Sequence, residues 1–145
     1  MREVMTDIMA SKKMASKKMK NDFRPVTKIF LAHPGGHGEP FCGPGMIKLI
    51  KYIKETGNVR KACEDMQVSY SKGWKLLRTL DGCLQYQVVA RQQGGKGGGK
   101  AHLTEEGEKF LENHEAFEAA CCEAVNKLFD QHYPGDYGHA DDRLP

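Results

Sequence analysis

The run Ser69-Tyr70-Ser71-Lys72-Gly73-Trp74-Lys75-Leu76-Leu77-Arg78-Thr79 carries hydroxyl and cationic side chains at helical spacing. Tyr70, Trp74, Leu77 and Leu80 fall on one face of such a helix, and Ser71, Lys72, Lys75, Arg78 and Thr79 on the other. The chemistry open to that second face is anion recognition, because its donors can bind phosphate oxygens and hydrogen-bond to base edges. Lys72, in the first turn, opposes the helix dipole; a phosphate nearby would remove that penalty, and solvent would mute it. A second group follows in Gly94-Gly95-Lys96-Gly97-Gly98-Gly99-Lys100, where glycines allow close backbone approach to phosphates and Lys96 and Lys100 supply charge. Arg60 and Lys61, just upstream, add two more cations.

The glycine run also satisfies the letters of a nucleotide-binding P-loop. That reading is rejected because Ala101 stands where a Ser or Thr would ligate magnesium, and the run leads into a strand pattern instead of a helix. His33 and His37 flank a Pro-Gly-Gly turn with Cys42 nearby, and Cys121-Cys122 adds thiols, so a metal-responsive regulator is one alternative. The spacing is not that of a zinc site, and neither a metal nor a cofactor is expected. The five cysteines form an odd set without a CxxC pair, as befits reduced thiols used as small apolar residues. With no Ser/His/Asp set and no poised carboxylate pair, the chain is not expected to be an enzyme.

These residues need a scaffold, and the flanking pattern supplies one. Val26 to His33 is β-branched and aromatic, which predicts a strand, and His33 to Pro40 predicts a loop. Pro44 suits a first helical turn, and Met46, Ile47, Leu49, Ile50 and Ile53 give that helix a buried stripe ending at Gly57. Asn58 is an N-cap for a short helix with Val59, Ala62, Cys63 and Met66 facing inward. The turn Met66-Gln67-Val68 leads to Ser69, the cap of the basic helix, which extends to Leu80. Strands at 87–91 and 101–104 enclose the glycine run. Two short helices followed by a hairpin make a winged helix-turn-helix, which offers one helix to the major groove and one loop to the neighbouring backbone.

Thr104 caps a long helix to Gln131, with Glu105 and Glu106 at its positive end. Phe110, His114, Phe117, Cys121, Ala124 and Leu128 recur in steps of four and three, a heptad-like seam that predicts a dimer interface. Leu111, Val125 and Phe129 add apolar surface beyond what one small domain readily covers. The fold class expected is therefore mainly α with a small β-wing and a long C-terminal dimerisation helix. Its parts are a disordered basic arm at 1–22, a DNA-binding body at 23–104, the dimerisation helix at 105–131 and a flexible tail at 132–145.

The formal net charge of +3 conceals a segregation. Residues 1–104 hold 19 Lys and Arg against 8 Asp and Glu, whereas residues 105–145 hold 3 against 11. A basic body carrying this pattern has the electrostatic footprint of a phosphate binder. The chain has neither an apolar run approaching the ~20 residues of a membrane span nor, in Met1 to Lys20, an apolar leader segment, so a cytoplasmic location is expected.

Several strings resemble the N-terminal domain of the molybdate-dependent transcriptional regulators, the ModE family. They are Leu49-Ile50-Lys51-Tyr52-Ile53 with Thr56-Gly57, Ser69-Tyr70 with Trp74, the run from Gly94 to Gly99, and Leu103-Thr104-Glu105-Glu106-Gly107. The last of these also gives a looser likeness to LysR-type regulators. The resemblance implies a homodimer on a palindromic operator of double-stranded DNA. The stretch after Gln131 does not match the family's oxyanion-binding domains, so molybdate binding is not expected of any residue in this sequence. Three departures stand out: Gln67 at the turn glycine, Ser71 where a basic residue usually follows Ser-Tyr, and Lys75 where an acidic one usually follows Trp. The expected interface comprises Arg60, Lys61, Ser69, Tyr70, Ser71, Lys72, Lys75, Arg78, Lys96 and Lys100. The competing expectation is a winged-helix protein-interaction module without DNA binding.

Overall fold

Pro44 opens the first helix, α1 (Pro44–Thr56), where its missing N–H is no loss. Gly57 closes it in the left-handed conformation, φ 65°, donating its N–H to the Ile53 carbonyl at 2.8 Å. In this computed structural model, which describes residues 23–92 and 100–133, the expected stripe of Met46, Ile47, Leu49, Ile50 and Ile53 is buried. Asn58 caps α2 (Val59–Asp65) by accepting from the Lys61 N–H, and Ser69 caps α3 (Tyr70–Leu84) by accepting from that of Lys72, both at 3.1 Å. Val59, Ala62 and Cys63 are buried and Met66 is half-buried against the same core.

Gln67 joins α2 to α3 at φ 58°, in the left-handed region where a side chain costs ~1 kcal/mol. α3 continues a turn beyond the expected end at Leu80. Leu84 extends the apolar stripe and packs on the core, which outweighs the helix-weakening Gly82, and Gln85 at φ 62° caps the end. The larger correction is at 26–33, where only β1 (Leu31–Ala32) is a strand, paired antiparallel with β2 (Pro40–Cys42). Val26 and Phe30 are exposed. A strand needs a partner, and β2 is too short to pair with the rest.

The second hairpin joins β3 (Val89–Arg91) to β4 (Ala101–Leu103) in the register Val89↔Leu103, Ala90↔His102, Arg91↔Ala101. It is shorter than the expected 87–91 and 101–104, because Thr104 turns into the start of the next helix and its N–H and hydroxyl donate to the Val88 and Gln87 carbonyls. Asn58 forms an additional bridge with Lys100, and the Ala101 N–H donates to the Gly57 carbonyl at 3.0 Å, so the α1–α2 junction borders β4. The Asp81 carboxylate accepts the Val88 N–H at 2.9 Å, tying α3 to the entry of β3.

Thr104 begins α4 (Glu105–His132): its hydroxyl accepts from the Gly107 N–H at 2.9 Å and donates to the Gln87 carbonyl. Gly107 has no room for a side chain, since a Cβ there would overlap the Val88 carbonyl. Helices and hairpin close over one core in which Leu49, Ile50, Ile53, Leu77, Leu80 and Val88 are fully buried, each large aliphatic side chain contributing roughly 1.5–3 kcal/mol. This order of three helices and a hairpin is a winged helix-turn-helix, followed by a long helix.

By its contacts the chain divides into one unit of Lys28–Glu118 and another of Met1–Thr27 with Ala119–Pro145. In the second unit Phe23 meets Phe129 edge-on at 5.6 Å and Tyr133 at 6.0 Å, and Phe129 stacks on Tyr133 at 4.8 Å. Among the described residues no helix is long and apolar enough to cross a membrane.

Candidate nucleic-acid interface

Because Ser69 caps α3 and Trp74, Leu77 and Leu80 anchor it, Ser71, Lys72, Lys75, Arg78 and Thr79 all face solvent. Ser71, Lys75 and Arg78 form one stripe and Lys72, Lys75 and Thr79 another, so the cations share a side of the helix. Thr79 turns its hydroxyl back to the Lys75 carbonyl at 3.0 Å. Arg60 and Lys61 are exposed at the start of α2, and Lys100 is exposed beside the hairpin, its carbonyl accepting from the Gln92 N–H at 2.9 Å. Lys96 lies outside the described residues.

Two of the expected contacts are engaged within the scaffold, in the places the helix pattern gives them. Tyr70 is half-buried, with the Arg60 guanidinium 4.4 Å from its ring centroid and the Trp74 ring edge-on at 6.3 Å. The Ser69 hydroxyl is engaged as the cap. One residue went unforeseen: Arg91, exposed at the end of β3, lays its guanidinium over Trp74 at 4.1 Å. The only sequence signal for it is a cation next to the glycine run.

Charge pairing separates two sets of cations. On α1, Lys51 pairs with Glu115 at 3.2 Å and Lys54 with Glu108 at 2.7 Å. The Glu108 carboxylate, through its hydrogen bond and then its charge, holds the Lys54 ammonium above the usual lysine range. Among the described residues, Arg60, Lys61, Lys72, Lys75, Arg78, Arg91 and Lys100 form no such pair. The acidic helix α4 thus matches Lys51 and Lys54 of α1, while Lys48 lies over the Tyr52 ring and the cations of α2, α3 and the hairpin form no ion pair among the described residues.

Of the seam residues, His114 is buried within the chain itself, Phe110 and Cys121 are half-buried, and Ala124 is exposed. Phe117 and Leu128 are 53% and 51% exposed. Leu111 and Phe129, counted from the sequence as surplus apolar surface, are instead covered by their own chain. His33 and His37 are exposed while Cys42 is buried, and burial pushes its thiol up to about 11, away from the thiolate that a metal needs. No group of three metal-ligating side chains gathers among the described residues. Lys100 leads into strand β4, contrary to a P-loop, whose Lys opens a helix.

Over 96 residues the chain is 31% identical to the transcriptional regulator ModE of Yersinia pestis, covering 66% of this chain and 36% of that protein. The chain resembles the ModE regulators. It is 29% identical over 90 residues to the DNA-binding transcriptional dual regulator ModE of Escherichia coli (strain K12), covering 62% of this chain and 34% of that one. A ModE-like stretch also matches the molybdenum-pterin-binding protein MopA of Rhodobacter capsulatus, 29% identical over 91 residues, covering 63% and 34%. The chain thus spans about a third of the length of these curated relatives. No protein-family model matches it. Among solved structures, the crystal structure of the CbnR DNA-binding domain with DNA overlaps it at a TM-score of 0.48 and 18% identity, over 60% of this chain and 94% of that one.

Proposed function

We propose that this chain is a DNA-binding transcriptional regulator whose α3 enters the major groove of a duplex. One observation carries the reading: among the described residues the exposed cations of α2, α3 and the hairpin form no ion pair, while two of the three lysines of α1, Lys51 and Lys54, are matched by carboxylates of α4. Unpaired cations on a helix-turn-helix supply the counterion-releasing contacts that dominate duplex affinity. Ser71, Lys72, Lys75 and Arg78 would then reach base edges and phosphates, with Arg60, Lys61, Lys96 and Lys100 on the flanking backbone. Tyr70 serves the interface through Arg60, and Ser69 through the helix cap. The relatives' printed names, ModE regulators described as transcriptional and as DNA-binding, support the same assignment.

Two copies joined along α4 through the exposed part of the seam, Phe117, Ala124 and Leu128, flanked by Phe110 and Cys121, would present two α3 helices to a palindromic site. The body is then 23–104 and the dimer helix 105–131, in a protein that works in the cytoplasm and carries out no catalysis.

Gel-shift assays on genomic fragments at two salt concentrations test this. Retarded complexes that weaken steeply with added salt are expected. Absence of any complex at low salt contradicts the proposal and favours an interaction module.

A further inference from the structure

We propose that Arg91 is a contact to the DNA backbone phosphate, held in position by Trp74; this rests on the DNA-binding reading above. Four side chains form a continuous row: Arg60 over Tyr70 at 4.4 Å, Tyr70 edge-on to Trp74 at 6.3 Å, and Trp74 beneath Arg91 at 4.1 Å. The row links α2, the first turns of α3 and the end of β3. An arginine held over an aromatic face is attracted through its charge and leaves its N–H edges available to the paired oxygens of a phosphodiester. Stacking also fixes the side chain before any ligand arrives, which lowers the ordering cost of binding.

The indole itself argues for this use. Trp74 is 8% exposed and its Nε1–H is buried without a hydrogen-bond partner. A buried unsatisfied donor carries a penalty that phenylalanine in the same place would not. What tryptophan adds is the aromatic face that attracts a cation most strongly, and Arg91 occupies that face. Arg91 forms no ion pair among the described residues, and Gln92 next to it is hydrogen-bonded to Lys100, so two unmatched cations meet at the root of the hairpin. Arg60 and Arg91 therefore flank the start of α3 as a preset pair.

The test uses the intact chain and a labelled mixed-sequence duplex of about three helical turns, with binding followed by anisotropy over a salt series. Arg91→Ala is expected to bind roughly tenfold more weakly and to flatten the salt slope by about one. Arg91→Lys should keep the slope and bind several-fold more weakly, because an ammonium lacks the planar fork. In the free protein, Trp74 is the single tryptophan, and Arg91→Ala should raise its quenching by acrylamide. A wild-type slope in Arg91→Ala overturns the inference while the DNA reading survives, and unchanged quenching removes Trp74 as the platform. A wild-type chain that binds no duplex overturns the DNA reading and this inference with it.

Discussion

Lys51 and Lys75 carry the same charge in different surroundings, and the difference sets what each does. Lys51 is spoken for by Glu115, whereas Lys75 stands exposed on α3 and forms no ion pair among the described residues. Lys75→Ala and Arg78→Ala are each expected to reduce the salt slope of duplex binding by about one unit, and Lys51→Ala to leave it unchanged, as read from equilibrium titrations. Asp81 gives a second prediction at this scale. Burial raises its carboxyl above the ordinary 3.8, and the hydrogen bond from Val88 opposes that shift only in part. A raised folded-state value means that its contribution to stability is full below 3.8 and is lost as pH rises through the folded value. Asp81→Asn keeps an acceptor for Val88 and has no charge to bury. It should be at least as stable as wild type near neutrality and should lack this decline, as urea unfolding at about pH 4 and about pH 7 will show. Asp81→Ala loses the acceptor as well and should cost ~1 kcal/mol.

The elements are held by close contacts at a few points. A Cβ on Gly73 would overlap the Cys63 Sγ, so α2 and α3 cross only because residue 73 has no side chain. Gly73→Ala is expected to destabilise by roughly 1–3 kcal/mol through overpacking. In a Cys63→Ala background the offending sulfur is gone and the cost should shrink, which a double-mutant cycle of denaturant midpoints measures. Gln67→Gly should relieve the left-handed backbone of the turn and stabilise by up to ~1 kcal/mol on the same assay.

The starts of α1, α2, α3 and α4 were legible in the sequence because their signals are local: Pro44 suits a first turn through its own ring, and Asn58, Ser69 and Thr104 cap the N–H of a residue one turn on. The strand at 26–33 was not, because strand formation depends on a partner whose length the local pattern does not encode. The exposed face of α3 was legible from its period alone. Arg91 and its platform were not, because Trp74 and Arg91 meet only through the packing of β3 against α3. For the same reason Leu111 and Phe129 gave no sign that their own chain would cover them.

At the scale of the whole molecule, the acidic half of the chain is concentrated on α4 and the basic half on the elements before it. Like charges drawn together repel unless a partner of opposite sign is supplied, so the unmatched cations favour a polyanion. The proposed dimer adds a separate prediction: Phe117→Glu or Leu128→Glu places a charge on the exposed seam and should weaken that association tenfold or more, about 1.4 kcal/mol, in sedimentation equilibrium. Duplex affinity of the dissociated form should fall with it, because one α3 helix reads only half of a two-fold site.

The central claim is that the face of α3, with Arg60, Lys61, Arg91 and Lys100 around it, is the surface that meets DNA. Backbone amide NMR shifts recorded while a duplex is titrated into the intact chain address it most directly. The account predicts that changes concentrate at Arg60, Lys61, residues 70–79, Arg91 and Lys100, and spare Lys51, Lys54 and the acidic face of α4. Changes confined to α4, or spread evenly over the chain, would contradict it.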